Sequence, residues 1–364
     1  LLFLPMTLSR RDTSFLKGFA ILLIALHNFC HWLPMAVVEN EYTFQLDRIW
    51  KYVGYLEAGH PHVVLNFLSH FGHYGVPLFL FLSGYGLVKK YEQMGAPTPS
   101  TGRFLWNHLT KLWKLMVPAV ALFILTEWCF RGGFHRDGYW VALMLGYVTN
   151  LVPGANLILG PWWFFSLIVQ FYLLYRLVLH RFRSPWLLWG LVGASLLFQA
   201  WLYVGDIHFS FVHKDIYALD YVRYNALGHL LSFALGIAWA RKPLNVPPLP
   251  MMLAGWVLTI ASAFNVWLWF FSPLFAVMAL LPLAHLVREG RVRRFLEWMG
   301  PISAAVFAFH PIVRHYLILP AGRAVRMGEP TLVYGEIVLY LLIVVLLAWG
   351  YTRLTVVLFS HKNK

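Results

Sequence analysis

The chain has 364 residues, of which 60% are hydrophobic, 18% aromatic and only 12% charged. Soluble domains carry about a quarter charged residues, so a water-soluble fold is excluded and the composition predicts an all-α integral membrane protein. A net charge of +14 would raise nucleic acid as a partner in a soluble chain, but these basic residues lie in short loops between apolar runs, where the positive-inside bias puts them; nucleic acid is excluded and the lipid bilayer takes its place.

Apolar runs occur at roughly 14–34, 65–88, 112–130, 161–179, 186–204, 224–240, 250–271, 273–287, 301–319 and 332–352. Each approaches the length of a crossing, which predicts a bundle of about ten transmembrane helices. Residues 139–152 form a shorter run that ends in Thr149, Asn150 and Pro153, and it reads as an additional short or re-entrant segment. Most of the 29 Lys and Arg then share the side of the N-terminus: Arg10 and Arg11, the stretches 89–114, 176–183, 241–242 and 288–294, and Arg353 with Lys362 and Lys364. Both termini are expected to be cytoplasmic. The first run is followed by Glu39 and Glu41 in place of a small-residue cleavage site, so it is expected to stay in the protein. No soluble domain is expected, and residues 1–364 read as one transmembrane domain. Cys30 and Cys129 both fall in apolar runs, which excludes a disulfide framework or a cysteine metal site.

On the outer side, Glu39, Glu41, Asp47 and Glu57 flank an aromatic amphipathic segment over 42–56. A later outer loop joins Asp206, Asp215 and Asp220 to Trp201, Tyr203, Phe209, Phe211, Tyr217 and Tyr221. Acidic groups beside rings suit a sugar; the rings alone equally fit the interfacial belt.

Ionisable groups inside spans are costly and therefore candidates for function. The first span holds Lys17, His27, Asn28 and His31. Ten residues of helix cover roughly 15 Å, so with Lys17 at one membrane face His27 lies near the midplane. His27 reads either as an inter-helix hydrogen-bond partner or as a working group. His27 and His31 share a helix face, as metal or haem ligands do, but no acidic or cysteine ligand accompanies them and no metal is expected. His310 lies at a similar depth: either it meets His27 at mid-membrane, or it satisfies a carbonyl freed by Pro311. His108, His180 and His285 lie near span ends and are expected to snorkel. Lys89, Lys90, Arg103, Lys111 and Lys114 bracket one loop, as membrane anchors or as a phosphate site. Ser83, Gly84 and Gly86 are small enough for another helix, or a thin ligand chain, to approach. The polar spans also fit a transporter or flippase of a lipid-linked sugar, and paired histidines fit a membrane haem protein.

Several of these stretches together resemble the bacterial acyltransferase-3 membrane family. They are Leu16-Lys17-Gly18-Phe19-Ala20-Ile21-Leu22-Leu23 running into His27, Gly75-Val76-Pro77-Leu78-Phe79-Leu80-Phe81-Leu82-Ser83-Gly84-Tyr85, and Lys111-Leu112-Trp113-Lys114 ahead of Pro118. Gly160-Pro161-Trp162-Trp163-Phe164-Phe165 and Gly300-Pro301-Ile302-Ser303 leading to Phe309-His310-Pro311 follow in the family's order. The resemblance implies ten core spans in a bacterial inner membrane. It implies transfer of an acyl group, usually acetyl, from acyl-CoA to a hydroxyl of an extracytoplasmic or lipid-linked glycan or glycolipid, with acetyl-CoA as co-substrate and no metal. It makes His27 the catalytic histidine and Lys17 its basic partner; by their own chemistry Asn28 or His310 is the candidate donor to the oxyanion of acyl transfer, and His31 is the alternative histidine on the same span. The resemblance makes Lys111 and Lys114 donor-binding; Lys17, as a further cation for the phosphates, and Ser83, beside the pantetheine arm, are expected to join them, and Trp162 and Trp163 are expected on the acceptor side. Two departures stand out: the interval from Lys17 to His27 is one residue shorter than the family's usual spacing, which leaves Asn28 in the histidine's slot, and Lys replaces the usual Arg in both basic motifs.

Overall fold

A computed structural model describes residues 6–39, 42–94, 99–155 and 158–360; Glu41, Lys362 and Lys364 lie outside the described residues. Every predicted apolar run falls on helix. Among the described residues, seven helices are long and apolar enough to cross a membrane: Arg10–Cys30, Val63–Gln93, Thr101–Arg131, Gly160–Phe182, Pro185–Val204, Arg291–Arg326 and Pro330–Val357. Pro248–Phe264 and Ser272–Leu286 are apolar but shorter, and Ala226–Arg241 spans 16 residues. The structure therefore supports seven crossings by length and composition, against the ten expected. The 139–152 segment contains an eight-residue helix, Gly138–Leu145, about 12 Å long and less than half of a hydrocarbon core. Contacts divide the chain into two compact units.

One unit comprises residues 8–40, 45–76 and 284–364. Its first helix starts at a capping box, in which Ser9 accepts from the Asp12 amide and Asp12 accepts from the Ser9 amide, satisfying two of the donors a helix start leaves open. The same Asp12 pairs with the buried Arg293 at 2.6 Å, and Arg11 pairs with Glu297 at 3.1 Å. These bonds dock the start of the first helix on the Arg291–Arg326 helix. Beyond them, Gly18 lies against the Leu296 backbone and Gly300 against Ser14, the small-residue contacts by which helices pack where lipid supplies no hydrophobic drive. The Tyr340 hydroxyl, on the last helix (Pro330–Ser360), donates to the Ala25 carbonyl at 3.1 Å, and its ring packs 4.6 Å from Phe29.

The other unit comprises residues 1–7, 41–44 and 77–283. Gly84 of the Gly75–Val88 helix meets the Phe233 carbonyl, and Gly236 of the Ala226–Arg241 helix meets the backbone of Phe81. Another helix, then, fills the space beside Gly84, whereas Gly86 has nothing within 4 Å. Glu92 closes this region with two bonds of 3.0 Å from Arg241 and one of 3.0 Å from Tyr175. One element departs from the all-α expectation: an antiparallel hairpin pairs His208–Phe211 with Lys214–Tyr217. Its turn residues, Val212 and His213, have φ of 47° and 61°, which favours Asn and Gly and strains a β-branched side chain.

Candidate active site

His27 sits in the last turn of the first helix, 8% exposed. Its Nδ1 lies 2.9 Å from the Ser69 carbonyl oxygen. A carbonyl only accepts, so Nδ1 carries the proton and Nε2 keeps its lone pair; the partner of one ring nitrogen sets the role of the other. The Val63–Phe71 helix places this carbonyl through its own anchors. Asn66 Oδ1 accepts from the Val37 amide and the Ser69 hydroxyl donates to the Val37 carbonyl, both at 2.8 Å. Residues 31–39 are held from the other side by the Leu46–Glu57 helix: Arg48 pairs with Glu39 at 3.2 Å, Lys51 donates to the Ala36 carbonyl at 2.9 Å and Tyr55 to the Met35 carbonyl at 3.1 Å. Gly72 completes the seat. A Cβ there would lie 2.8 Å from the Cβ of His27, so only glycine lets the backbone come this close.

More histidines surround His27 than its own helix supplies. The His31 ring lies 5.1 Å away and the His73 ring 5.6 Å away, while His70 stacks on Tyr52. Nδ1 of His31, His70 and His73 is buried without a hydrogen-bond partner. Among the described residues no three His, Cys, Asp or Glu side chains come together as a metal site. His70 and His73 escaped the sequence reading although both lie in the predicted 65–88 run; their spacing matches no ligand or catalytic motif, and only the 3-10 turn at Gly72–Tyr74 brings His73 round to His27.

The other candidates of this unit have definite partners. Asn28 Nδ2 donates to the Ile24 carbonyl of its own helix at 2.9 Å, while its Oδ1 and main-chain oxygen face Arg314 Nη1 at 3.5 and 3.4 Å. Arg314, which sequence reasoning passed over, is 7% exposed, and its guanidinium lies 5.2 Å over the Trp32 ring. No carboxylate pairs with it among the described residues. His310 takes the second of its two expected roles: Pro311 has no N–H for the Phe307 carbonyl, and His310 Nδ1 lies 2.9 Å from that oxygen and 3.2 Å from the Val306 oxygen. Its Nε2 is buried and unpartnered, and no ring contact joins it to His27 among the described residues. Lys17 is half-buried with no ion-pair or hydrogen-bond partner among the described residues.

The remaining candidates lie in the other unit. Lys90 and Lys114 lie close enough to Lys111 to repel its charge, and Lys90 and Lys89 sit 4.8 and 5.3 Å over the rings of Tyr91 and Tyr85. Ser83 donates to the Phe79 carbonyl of its own helix at 2.8 Å. Trp162 and Trp163 are buried, at 1% and 6% exposure. Trp163 stacks on His229, and its carbonyl accepts from Asn150 at 2.9 Å. Loops of this unit line a cavity of about 310 Å³ formed by Thr149, Asn150, Asp215, Tyr217, Asp220 and Tyr221 among others. Burial pushes the Tyr217 and Tyr221 phenols above their ordinary value, so both face the cavity as neutral hydroxyls able to donate and accept.

Helices long enough to cross a bilayer, with a buried histidine in the last turn of the first one fixed in one tautomer, define a multi-pass membrane protein with a built polar centre. A family model described as an acyltransferase domain matches residues 13–353. The chain belongs to the acyltransferase-3 family and is a membrane acyltransferase. No curated protein and no solved structure matches it. The family match agrees with the motif order read from the sequence, and it lends no support to the transporter or haem readings.

Proposed function

We propose that the protein moves an acyl group, acetyl by the family's default, from acyl-CoA to a hydroxyl of a glycan or glycolipid, with His27 as general base. The hydrogen bond from His27 Nδ1 to the Ser69 carbonyl carries the reading, because it leaves Nε2 as the basic nitrogen before any substrate arrives. Nε2 takes the proton of the acceptor hydroxyl as its oxygen attacks the thioester carbon. The tetrahedral intermediate collapses with loss of the C–S bond, and the CoA thiolate leaves with the proton returned from the imidazolium. No metal enters the scheme.

The triple-lysine cluster of Lys90, Lys111 and Lys114 supports a phosphate-bearing donor, since lysine offers phosphate a compact point charge. Lys17 and Ser83 are assigned to the donor with it on the motif resemblance. The aspartate and tyrosine cavity supports a sugar acceptor, and Trp163, next to the equally buried Trp162, braces the acceptor side through Asn150, which lines that cavity. The enzyme works in a bacterial inner membrane with both termini cytoplasmic, as one transmembrane domain in which three shorter helices, Ala226–Arg241, Pro248–Phe264 and Ser272–Leu286, make up the ten expected spans.

Two measurements test this. Acetyl-CoA is expected to raise the melting temperature of the detergent-purified protein, since a ligand at a hundred times its Kd adds about 2.7 kcal/mol of apparent stability, and Lys111→Ala/Lys114→Ala is expected to abolish the shift. His27→Ala is expected to abolish acetyl transfer; a variant that keeps a near wild-type rate removes the general-base assignment.

A further inference from the structure

We infer that Arg314 holds the oxyanion of the tetrahedral intermediate, with Asn28 as its positioning residue. The inference rests on the general-base reading of His27 and asks what that reading leaves open: which donor meets the negative charge that appears on the former carbonyl oxygen. The two groups that the sequence offered for this task are committed elsewhere. The Asn28 amide nitrogen donates to the Ile24 carbonyl. His310 spends its Nδ1 proton on the carbonyl freed by Pro311, so its unpartnered Nε2 is an acceptor, the wrong polarity for an oxyanion. His31 offers one N–H and no charge.

Arg314 differs from all three. Its guanidinium stays protonated whatever its surroundings and carries five donors. It is 7% exposed, on a helix long and apolar enough to cross the membrane, yet no carboxylate pairs with it among the described residues. Its hydrogen-bond contacts among the described residues are the long ones, 3.4 and 3.5 Å, to Asn28, the residue next to His27. The Trp32 ring supports one face of the guanidinium, leaving the N–H edge to meet an anion. An intramembrane cation without a counter-ion is expensive in the resting protein. The cost becomes useful where an anion exists only in the transition state, because a charge met only there raises the rate of the chemical step and leaves ground-state binding alone.

The test uses the full-length protein in detergent and three variants, Arg314→Gln, Arg314→Lys and His27→Ala. Acetyl transfer from acetyl-CoA into the glycolipid fraction of host membranes, release of CoA thiol and thermal unfolding are measured on each. Arg314→Gln is expected to lower kcat about a hundredfold or more, with KM for acetyl-CoA within threefold of wild type. Its melting temperature should be equal or higher, because an uncompensated buried charge has gone. Arg314→Lys is expected to recover part of the rate, since the charge remains without the planar fork. A folded Arg314→Gln with near wild-type kcat, a loss confined to KM, or a variant that is destabilised or fails to fold each overturns the inference, the last by making Arg314 structural. Full activity in His27→Ala would instead overturn the general-base reading, so the two failures are distinguishable.

Discussion

Gly72→Ala tests the His27 seat without touching a group that meets substrate. The new methyl would stand 2.8 Å from His27 Cβ, 3.1 Å from the Leu23 oxygen and 3.3 Å from His27 Cα, where ordinary contact begins at 3.4 Å. At least 0.6 Å must be found between two packed backbones, since none of the three atoms is the end of a flexible side chain. Moving the first helix away from Gly72 stretches the 2.9 Å bond between His27 Nδ1 and Ser69 and releases the tautomer that makes Nε2 a base. A misplacement of about 1 Å at a reacting group costs on the order of a hundredfold, so kcat should fall roughly tenfold or more. KM for the donor is expected to change little, and overpacking should remove about 1–3 kcal/mol of stability. The assay is initial-rate acetyl transfer beside a melting curve. Gly86→Ala is the control: it meets nothing within 4 Å and should leave the rate unchanged. A Gly72→Ala enzyme within twofold of the wild-type kcat would refute the claim that this close approach sets His27.

Two further outcomes are expected. Asp12→Asn removes one partner of Arg293, whose side chain is 9% exposed, while Glu297 keeps its bond at 2.9 Å; the loss should be about 1–3 kcal/mol in melting experiments, with kcat retained because the pair is structural. In the outer hairpin, the hydrogen bond to Asp215 and the Asp206 charge outweigh desolvation and raise His208 above its ordinary 6.5. The contribution of this pair to hairpin order is therefore complete below about pH 6.5 and fades as pH rises through the raised value. Proton NMR of the His208 ring should show a midpoint above 6.5 that falls towards it in Asp215→Asn, with Asp206 still in place.

Helix content was legible because apolar runs of span length have few other folds open to them in a bilayer. The hairpin was not, because Val212-His213 lacks the Asn-Gly signature of the tight turn it forms. Among candidate residues, His27 stood out from its place inside an apolar run, where a polar group must be explained; the structure puts it in the last turn of that helix. The rest of the centre depends on partners far along the chain. Ser69 acts through its main-chain oxygen, which no side-chain pattern reveals, and Gly72 acts by having no side chain. Arg314 did not stand out in the sequence, because nothing in its spacing ties it to the first span; the Arg291–Arg326 helix places it beside Asn28, with no acidic partner among the described residues. Pro311 and His310 read as alternatives, and the hydrogen bond to the Phe307 oxygen favours local carbonyl satisfaction.

The shortened interval between Lys17 and the histidine has a geometric consequence. Adjacent helical residues point about 100° apart, so His27 and Asn28 address different neighbours: His27 the Ser69 carbonyl and Gly72, Asn28 the guanidinium of Arg314. A histidine in the usual slot, position 28, would face a cation and lose the Ser69 carbonyl that fixes the tautomer of His27. The exchange His27→Asn/Asn28→His keeps composition, charge and volume while reversing the two directions. It is expected to fold, as both side chains are polar and of similar size, and to transfer acetyl no faster than His27→Ala. A swapped enzyme within tenfold of the wild-type rate would mean that the helix rotates to accommodate either register, and the orientation seen here would then be one of two that work.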